Sequence, residues 1–445
     1  MLAVLLASAP VAAEELDLRV HGSVKSFFVM GFPYESYGLS DASDTLLELA
    51  GMSEEEALEA FGLSTDPFGA GSADGRLALE AGYGPFDLDV HYALSAANSV
   101  NSGLPGLSTG TGLTAPEAVP LTWTPDTGSS VSVQGRFDRL VLGASVPHVE
   151  LALGRQAVSF GTGVFFAPMD LVNPFHPATI DTEYKPGVDA LRVDAFAGVS
   201  SQLTVTAAWA GDAPLVGEDA EEVDLEGAVL AAAGRTTVGV TDLLAFAGLV
   251  HAEPVFGLGS ASSIGPVGVH GEATLTLPEG DEDPFVRAVA GADWRPTGTT
   301  TLMAEGYVQT FGATDPDGYL EVAESERFTR GEIWQMGRSY AALTVMQEVT
   351  PLVYANVGGV VNVEDPSALA ITGVSWSVAD NATLTGGGYF GLGPRPDVVE
   401  LDLTIDPATF TPTLGLPTDE ELAASVNSEF GLYPAFAYLA LSTYF

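Results

Sequence analysis

A hairpin pattern that recurs along nearly the whole chain limits what it can fold into. Within 74–83, Leu77, Leu79, Ala81 and Tyr83 fall on one face at period two, with Arg76 and Glu80 on the other. Gly84-Pro85 makes a tight turn. Phe86, Leu88, Val90, Tyr92 and Leu94 then alternate against Asp87, Asp89 and His91. Such alternation marks a strand with one apolar and one wet face, and two of them around a tight turn mark a hairpin. The sequence repeats this unit after long polar connections. Strands are expected at 16–30, 74–83, 86–94, 132–146, 149–158, 188–199, 203–210, 225–238, 242–252, 254–261, 266–277, 284–294, 300–311, 335–347, 351–363, 367–378, 381–391 and 434–445. That makes about 18 strands, an even number with both termini on one side. About 16 is the alternative, because 225–252 is nearly uniform in Ala, Leu, Val and Gly, and 254–261 is short.

Composition narrows the medium. The 445 residues are 46% hydrophobic, yet no apolar run is long enough for a helical membrane span. With 51 Gly and 28 Pro, turns are many and a helical protein is disfavoured. The absence of Cys excludes disulfide scaffolds, thiolate metal sites and Cys nucleophiles. A net charge of −44 excludes non-specific nucleic-acid binding. It fits a saline habitat, divalent-cation recruitment at acidic loops or cation preference in a pore, and leaves the choice between anions and cations open. Residues 1–13, MLAVLLASAPVAA, read as a signal peptide without its basic start, leaving 14–445 as one domain; a buried N-terminal strand is the alternative. Ser53-Glu-Glu-Glu56 and Thr418-Asp-Glu-Glu421 are capping boxes that open short helices in long loops.

The last stretch is Pro434-Ala-Phe-Ala-Tyr-Leu-Ala-Leu-Ser-Thr-Tyr-Phe445, an alternating strand ending on an aromatic residue. It resembles the closing strand of Gram-negative outer-membrane β-barrels, in which a final Phe is read by the barrel insertion machinery. The resemblance implies that Phe445 is an assembly signal and that 434–445 pairs with 16–30. A second stretch, 153–194, carries Gly154, Arg155, Gln156, Gly161, Pro168, Asp170, Asn173 and Pro174. These resemble the Gly-Arg-Gln…Gly…Pro-x-Asp…Asn-Pro stretches of porin-like outer-membrane proteins. In general diffusion porins the loop between strands five and six folds inward and narrows the lumen. By count that loop is 159–187 here. The resemblance implies that Asp170, Asp181 and Glu183 lie at a pore constriction, with Arg155, Lys185 and Arg192 near them. The alternative for Arg155 and Arg192 is that they pair with acids and pin the loop to the wall.

The expected fold is therefore all-β, a transmembrane antiparallel up-and-down barrel. Alternation puts Arg19, Lys25, Arg76, Glu80, Asp87, Asp89, His91, Glu272, Arg287 and Glu305 on the lumen side. A soluble sandwich, propeller or solenoid alternates too. The export-like start, the aromatic end and the alternation of short turns with long loops favour the membrane barrel. Asp315-Pro-Asp-Gly318 lacks a full calcium-loop pattern, and Gly106-Leu-Ser-Thr-Gly110 matches a hydrolase elbow in letters only. The six His are scattered singly in sequence, and no cofactor, metal site or enzymatic activity is expected. The function expected is an outer-membrane channel for passive diffusion of small hydrophilic solutes or ions. The alternative is a non-conducting structural or adhesion barrel displaying long acidic external loops. Trimeric assembly is common in the resembled family, though no interface signature is visible.

Overall fold

The computed structural model describes residues 16–61, 63, 66–98, 115–128, 130–172, 183–211, 214–217, 226–278, 280, 282–405 and 412–445. The expected leader 1–13 lies outside the described residues. In chain order the wall strands are β1 Asp17–Phe32, β2 Phe68–Tyr83, β3 Phe86–Asn98, β4 Val131–Val146, β5 Val149–Gln156, β6 Val188–Ala197, β7 Ser201–Trp209, β8 Ala228–Val238 and β9 Thr241–Val250. They continue as β10 Glu253–Ile264, β11 Val267–Thr276, β12 Phe285–Trp294, β13 Thr300–Gln309, β14 Ser339–Thr350, β15 Val353–Asn362, β16 Ala368–Ala379, β17 Ala382–Leu392 and β18 Ala435–Tyr444. Together they form a closed 18-strand antiparallel barrel. A two-residue strand, Thr122–Trp123, pairs with β4 beyond the end of β5.

Closure joins the chain's two ends. β18 pairs with β17 on one side and with β1 on the other, from Ser23↔Tyr444 to Phe32↔Ala435. The Gly22 N–H donates to the Phe445 carbonyl at 2.9 Å and the Phe445 N–H to the Gly22 carbonyl at 3.0 Å. β1 also pairs with β2 along fifteen positions, Asp17↔Gly82 to Gly31↔Phe68, so neither terminal strand leaves an open edge. Alternation then sorts the faces. On β1, Val20, Val24, Phe28, Met30 and Phe32 are exposed outward, while Ser23 and Val29 are buried inward. Among the described residues no helix is long and apolar enough to cross a membrane.

The 16-strand alternative is excluded, because 225–252 folds as the two strands β8 and β9. Their weak alternation has a physical cause. Leu230 and Leu243 are exposed outward, but Val229, Ala231, Ala233, Leu244 and Phe246 are buried inward against a loop, so both faces are apolar. β2 begins at Phe68 and β3 runs to Asn98, both longer than their alternation shows. The Gly69-Ala-Gly-Ser72 start carries no apolar pattern, yet pairs with Met30, Val29, Phe28 and Phe27. The eight turns at one end are tight. Gly84, at φ 59°, supplies the left-handed residue of the β2–β3 turn. The long connections gather at the other end. Both capping boxes form: Glu54–Ala60 and Asp419–Ser425 are helices capped by Ser53 and Thr418. Helices at Asp44–Ala50, Tyr319–Glu324 and Glu326–Thr329 carry no comparable sequence signal and were not expected.

Leu439 sits at the middle of β18 and is 52% exposed on the outer face. Leu439→Arg should lower the folding free energy in lipid vesicles, measured by denaturant titration, by about 2–4 kcal/mol. The inward Ala440→Ser should change it by less than about 0.5 kcal/mol.

Candidate functional site

The connection from β5 to β6 leaves the wall and enters the lumen. Gln156, the last residue of β5, fixes the exit by donating its side-chain amide to the Ala190 carbonyl at 3.1 Å. Beyond it, Val158, Phe160, Met169, Leu171 and Val172 pack on the inner face of β6 to β10. The wall beneath them is small: Ala190, Ala208, Ala231 and Ala233 leave room for a second layer. Phe160 meets Phe246 at 5.2 Å between ring centroids. Phe166 stacks on Tyr307 at 4.7 Å, which makes it a packing residue.

Two wall carboxylates hold this outgoing arm by its backbone. Glu272 on β11 accepts from the N–H groups of Thr162 (2.6 Å) and Met169 (3.0 Å) and from the Thr162 hydroxyl (2.9 Å). Glu305 on β13 accepts from the N–H groups of Val164 (2.7 Å), Phe165 (2.9 Å) and Phe166 (3.1 Å), and His270 Nε2 lies 2.8 Å from it. Successive N–H groups in a tight turn form a concavity that suits an anion, and bonds to an ionised acceptor are the strong ones. Gly163 permits the turn, because a Cβ there would collide with the Phe166 carbonyl. Both carboxylates are buried, at 3% and 4% exposure. They lie on the lumen face, as alternation indicates, but beneath the loop.

The returning arm, 183–187, meets the opposite wall. Lys25 on β1 pairs with Glu183 at 2.6 Å, and the Tyr444 hydroxyl donates to Glu183 at 3.0 Å. The Arg76 guanidinium lies over the Tyr184 ring at 4.1 Å. Arg139 donates to the Lys185 carbonyl at 2.5 Å and Arg136 to the Gly187 carbonyl at 2.7 Å. Asp138 binds this group together, accepting from Arg76 (2.6 Å), Arg139 (3.0 Å) and the Gly187 N–H (3.1 Å). A register slip explains the density: His91 pairs with Arg139 and Tyr92 with Phe137, so Asp138 is an extra residue. Such a bulge breaks the alternation. For that reason Arg136, Asp138 and Arg139 escape a period-two reading. Strands β1 to β4 and β11 to β13 lie on opposite sides of the ring. The two described arms of the connection therefore meet opposite walls, the outgoing one an acidic wall and the returning one a basic wall.

The remaining expected residues are distributed as follows. Asp170 pairs with Lys185. Burial pushes the Asp170 carboxyl up and the Lys185 ammonium down, and their mutual attraction opposes both shifts. Arg155, 1% exposed, donates to Asp189 (2.8 and 3.0 Å), Glu117 (2.6 Å) and the Val119 carbonyl (2.6 Å), fastening segment 115–119 to β6. Arg192 pairs with Asp194 at 2.7 Å beside a cavity of about 170 Å³, lined also by Gln202, Thr204 and Arg235. Arg287 is buried under loop 310–338 and donates to the Glu332 carbonyl at 2.6 Å. Glu80 lies 3.6 Å from Arg19, and Asp89 lies 2.9 Å from His91, while Asp87 is exposed near the β2–β3 turn. Asp181, His176, Asn173 and Pro174 lie outside the described residues. The histidines are not all isolated in space: the His21 and His91 rings meet edge to face at 6.1 Å, brought together by the pairing of β1, β2 and β3.

A separate buried network ties loop 393–432 to the rim. Glu429 accepts from the Tyr340 hydroxyl, from Asn362 at 2.6 Å and from the Met336 N–H at 3.1 Å, and its own N–H donates to Asp365 at 2.8 Å. Sequence reading missed it, because its members lie up to 93 residues apart.

No protein-family model and no curated protein matches the sequence. Solved structures do match in fold. Pseudomonas aeruginosa OccK5 (OpdH) aligns at a TM-score of 0.52 and 10% identity, over 96% of this chain and 98% of that one. Acinetobacter baumannii OccAB2 aligns at 0.53 and 8%, with the same coverage. Pseudomonas aeruginosa OpdK, in its structure with vanillate, aligns at 0.51 and 12%, again over 96% and 98%. OpdK is an outer membrane protein. The chain thus has the fold of outer-membrane porin-like barrels.

Removing the carboxylates should loosen the loop. Each of Glu272→Ala and Glu305→Ala leaves backbone N–H groups unpaired, at a cost of about 2–3 kcal/mol to loop docking. Amide hydrogen exchange at 162–169 should quicken, while the wall strands keep their protection. Burial also pushes the Glu429 carboxyl up to about 7, against its hydrogen bonds from Tyr340 and Met336. Its contribution of about 3 kcal/mol is fully present below the ordinary Glu value and is lost as pH rises through about 7. Protection of the Met336 amide, corrected for intrinsic exchange, should therefore fall between pH 5 and 8, and Glu429→Gln should remove that dependence.

Proposed function

We propose that the protein is a passive outer-membrane channel for small hydrophilic solutes, with loop 159–187 setting its neck. The observation that supports this reading is the fastening of the loop's two described arms, one to Glu272 and Glu305 and the other to Lys25, Arg76, Arg136 and Arg139 on the opposite wall. Opposed charges across a narrow wet passage create a transverse field, which orients dipolar solutes and favours charged ones. Asp170, Glu183 and Lys185 contribute to the neck, with Asp181 in the same loop. Arg155 and Arg192 support the wall around it. The cycle is diffusion, with no bond made or broken.

Anions are favoured at this neck. The chain has 15 basic residues against 59 acidic ones, yet Lys25, Arg76, Arg136, Arg139 and Lys185 gather at one place. The solute in the OpdK structure, vanillate, carries a carboxylate, which supports the same direction. Outside the neck, the acidic external loops recruit divalent cations that bridge to anionic headgroups. Phe445, paired with Gly22 beside the closing seam, is the residue we assign to recognition by the insertion machinery.

Single-channel recording in planar bilayers tests the channel reading. Folded protein should conduct, and under a salt gradient Lys25→Gln with Arg139→Gln should move the reversal potential toward cation preference. Absence of conductance from folded protein would favour the display barrel instead.

A further inference from the structure

We propose that the channel wall carries a binding site for a divalent transition-metal ion, built from His21 on β1, Glu80 on β2 and His91 on β3. One ligand atom from each lies within 4.8 Å of the other two. Strand pairing creates the site. His21 pairs with Ala78, and Ala78 with His91, so the three form one row across neighbouring strands. Ala78 is small and buried, which lets the two imidazoles approach over it, with ring planes at 83°. Glu80 stands two residues along β2 from Ala78 and so shares its face.

The donor set selects the ion. Two imidazoles and one carboxylate suit Zn²⁺, Ni²⁺ or Cu²⁺, whereas Ca²⁺ and Mg²⁺ require oxygen ligands. Tetrahedral zinc at about 2.0–2.1 Å from each ligand needs donors roughly 3.4 Å apart, a closure within reach of side-chain rotation. A three-ligand site leaves its fourth position open to lumen water or to a passing solute.

Two further observations point to a ligand. Both ring nitrogens of His91 are buried and lack a hydrogen-bond partner among the described residues. Asp89 Oδ1 lies 2.9 Å from His91 Nε2 but out of line for a hydrogen bond. A metal on one nitrogen would leave the other as an N–H for Asp89 to orient, the arrangement in which a carboxylate backs a metal-bound histidine. Arg19 is the nearest competitor. It lies 3.6 Å from Glu80 but is held by Asp17 at 2.7 Å, so it can release Glu80 and keep its closer partner. The site lies four residues along β1 from Lys25, about 13 Å along the strand toward the tight-turn end. A bound ion would add positive charge to the basic side of the passage. The site stands whether or not the barrel conducts.

Zinc titration of chelator-treated, detergent-folded protein by calorimetry tests this. Wild type should bind one Zn²⁺ per chain in a resolved phase, and His21→Ala and His91→Ala should each weaken that phase at least tenfold, with heat-modifiable gel migration confirming the fold. Equal binding by the His21→Ala/His91→Ala double variant, or no resolved phase in wild type, overturns the proposal. Cu²⁺ electron paramagnetic resonance on wild type gives an independent reading. Hyperfine coupling to two imidazole nitrogens is expected, and a spectrum with oxygen ligands alone overturns the site.

Discussion

Every backbone N–H and C=O that faces hydrocarbon needs a partner within the protein, because lipid offers none. The rest of the structure follows from this constraint. It requires β1 and β18 to meet, and the seam does so with ten paired positions and two further bonds between Gly22 and Phe445. It also requires alternation on each strand, since the same backbone presents one side to lipid and the other to the lumen. What the barrel does is then decided by inward-facing residues and loops, where water relaxes the constraint.

The inward loop shows how the interior is organised without a conventional core. Its first arm is fastened by acceptors, Glu272 and Glu305, that take bare backbone N–H groups. Its second arm is fastened mainly by donors, Arg136 and Arg139, that take carbonyls. The two ends of a peptide unit are polar in opposite senses, so a loop crossing the lumen can be held by opposite charges at opposite walls. The same residues that fasten it leave acids at one wall and bases at the other. Small inner residues on β6 and β8 make space, and Phe160, Met169 and Leu171 fill it.

The barrel was legible in the sequence because its signal is local and periodic. All eighteen strands appear near their expected places, and both capping boxes form. The boundaries that slipped, at Phe68 and Asn98, lie in small or polar residues that carry no alternation. The site was legible in part. Lys25, Arg76, Glu272 and Glu305 were placed on the lumen side by parity alone. Arg136, Asp138 and Arg139 were not, because a one-residue bulge inverts parity midway along β4. The contacts Glu272 makes with Thr162 and Glu305 with Val164 join residues more than a hundred positions apart. No spacing rule reveals them. The juxtaposition of His21 and His91 depends on the register of three strands, which side-chain pattern alone does not fix.

The basic residues of the returning arm have one more consequence. The chain contains only two lysines, Lys25 and Lys185, and both contact that arm or belong to it. Every other side-chain cation is a guanidinium or an imidazole. Side-chain primary amines are therefore confined to the returning arm of the inward loop and the wall strand it meets. An amine-directed reagent, a fluorophore or a crosslinker, addresses that place and no other side chain, so the loop's anchorage can be labelled chemically without introducing a single foreign residue.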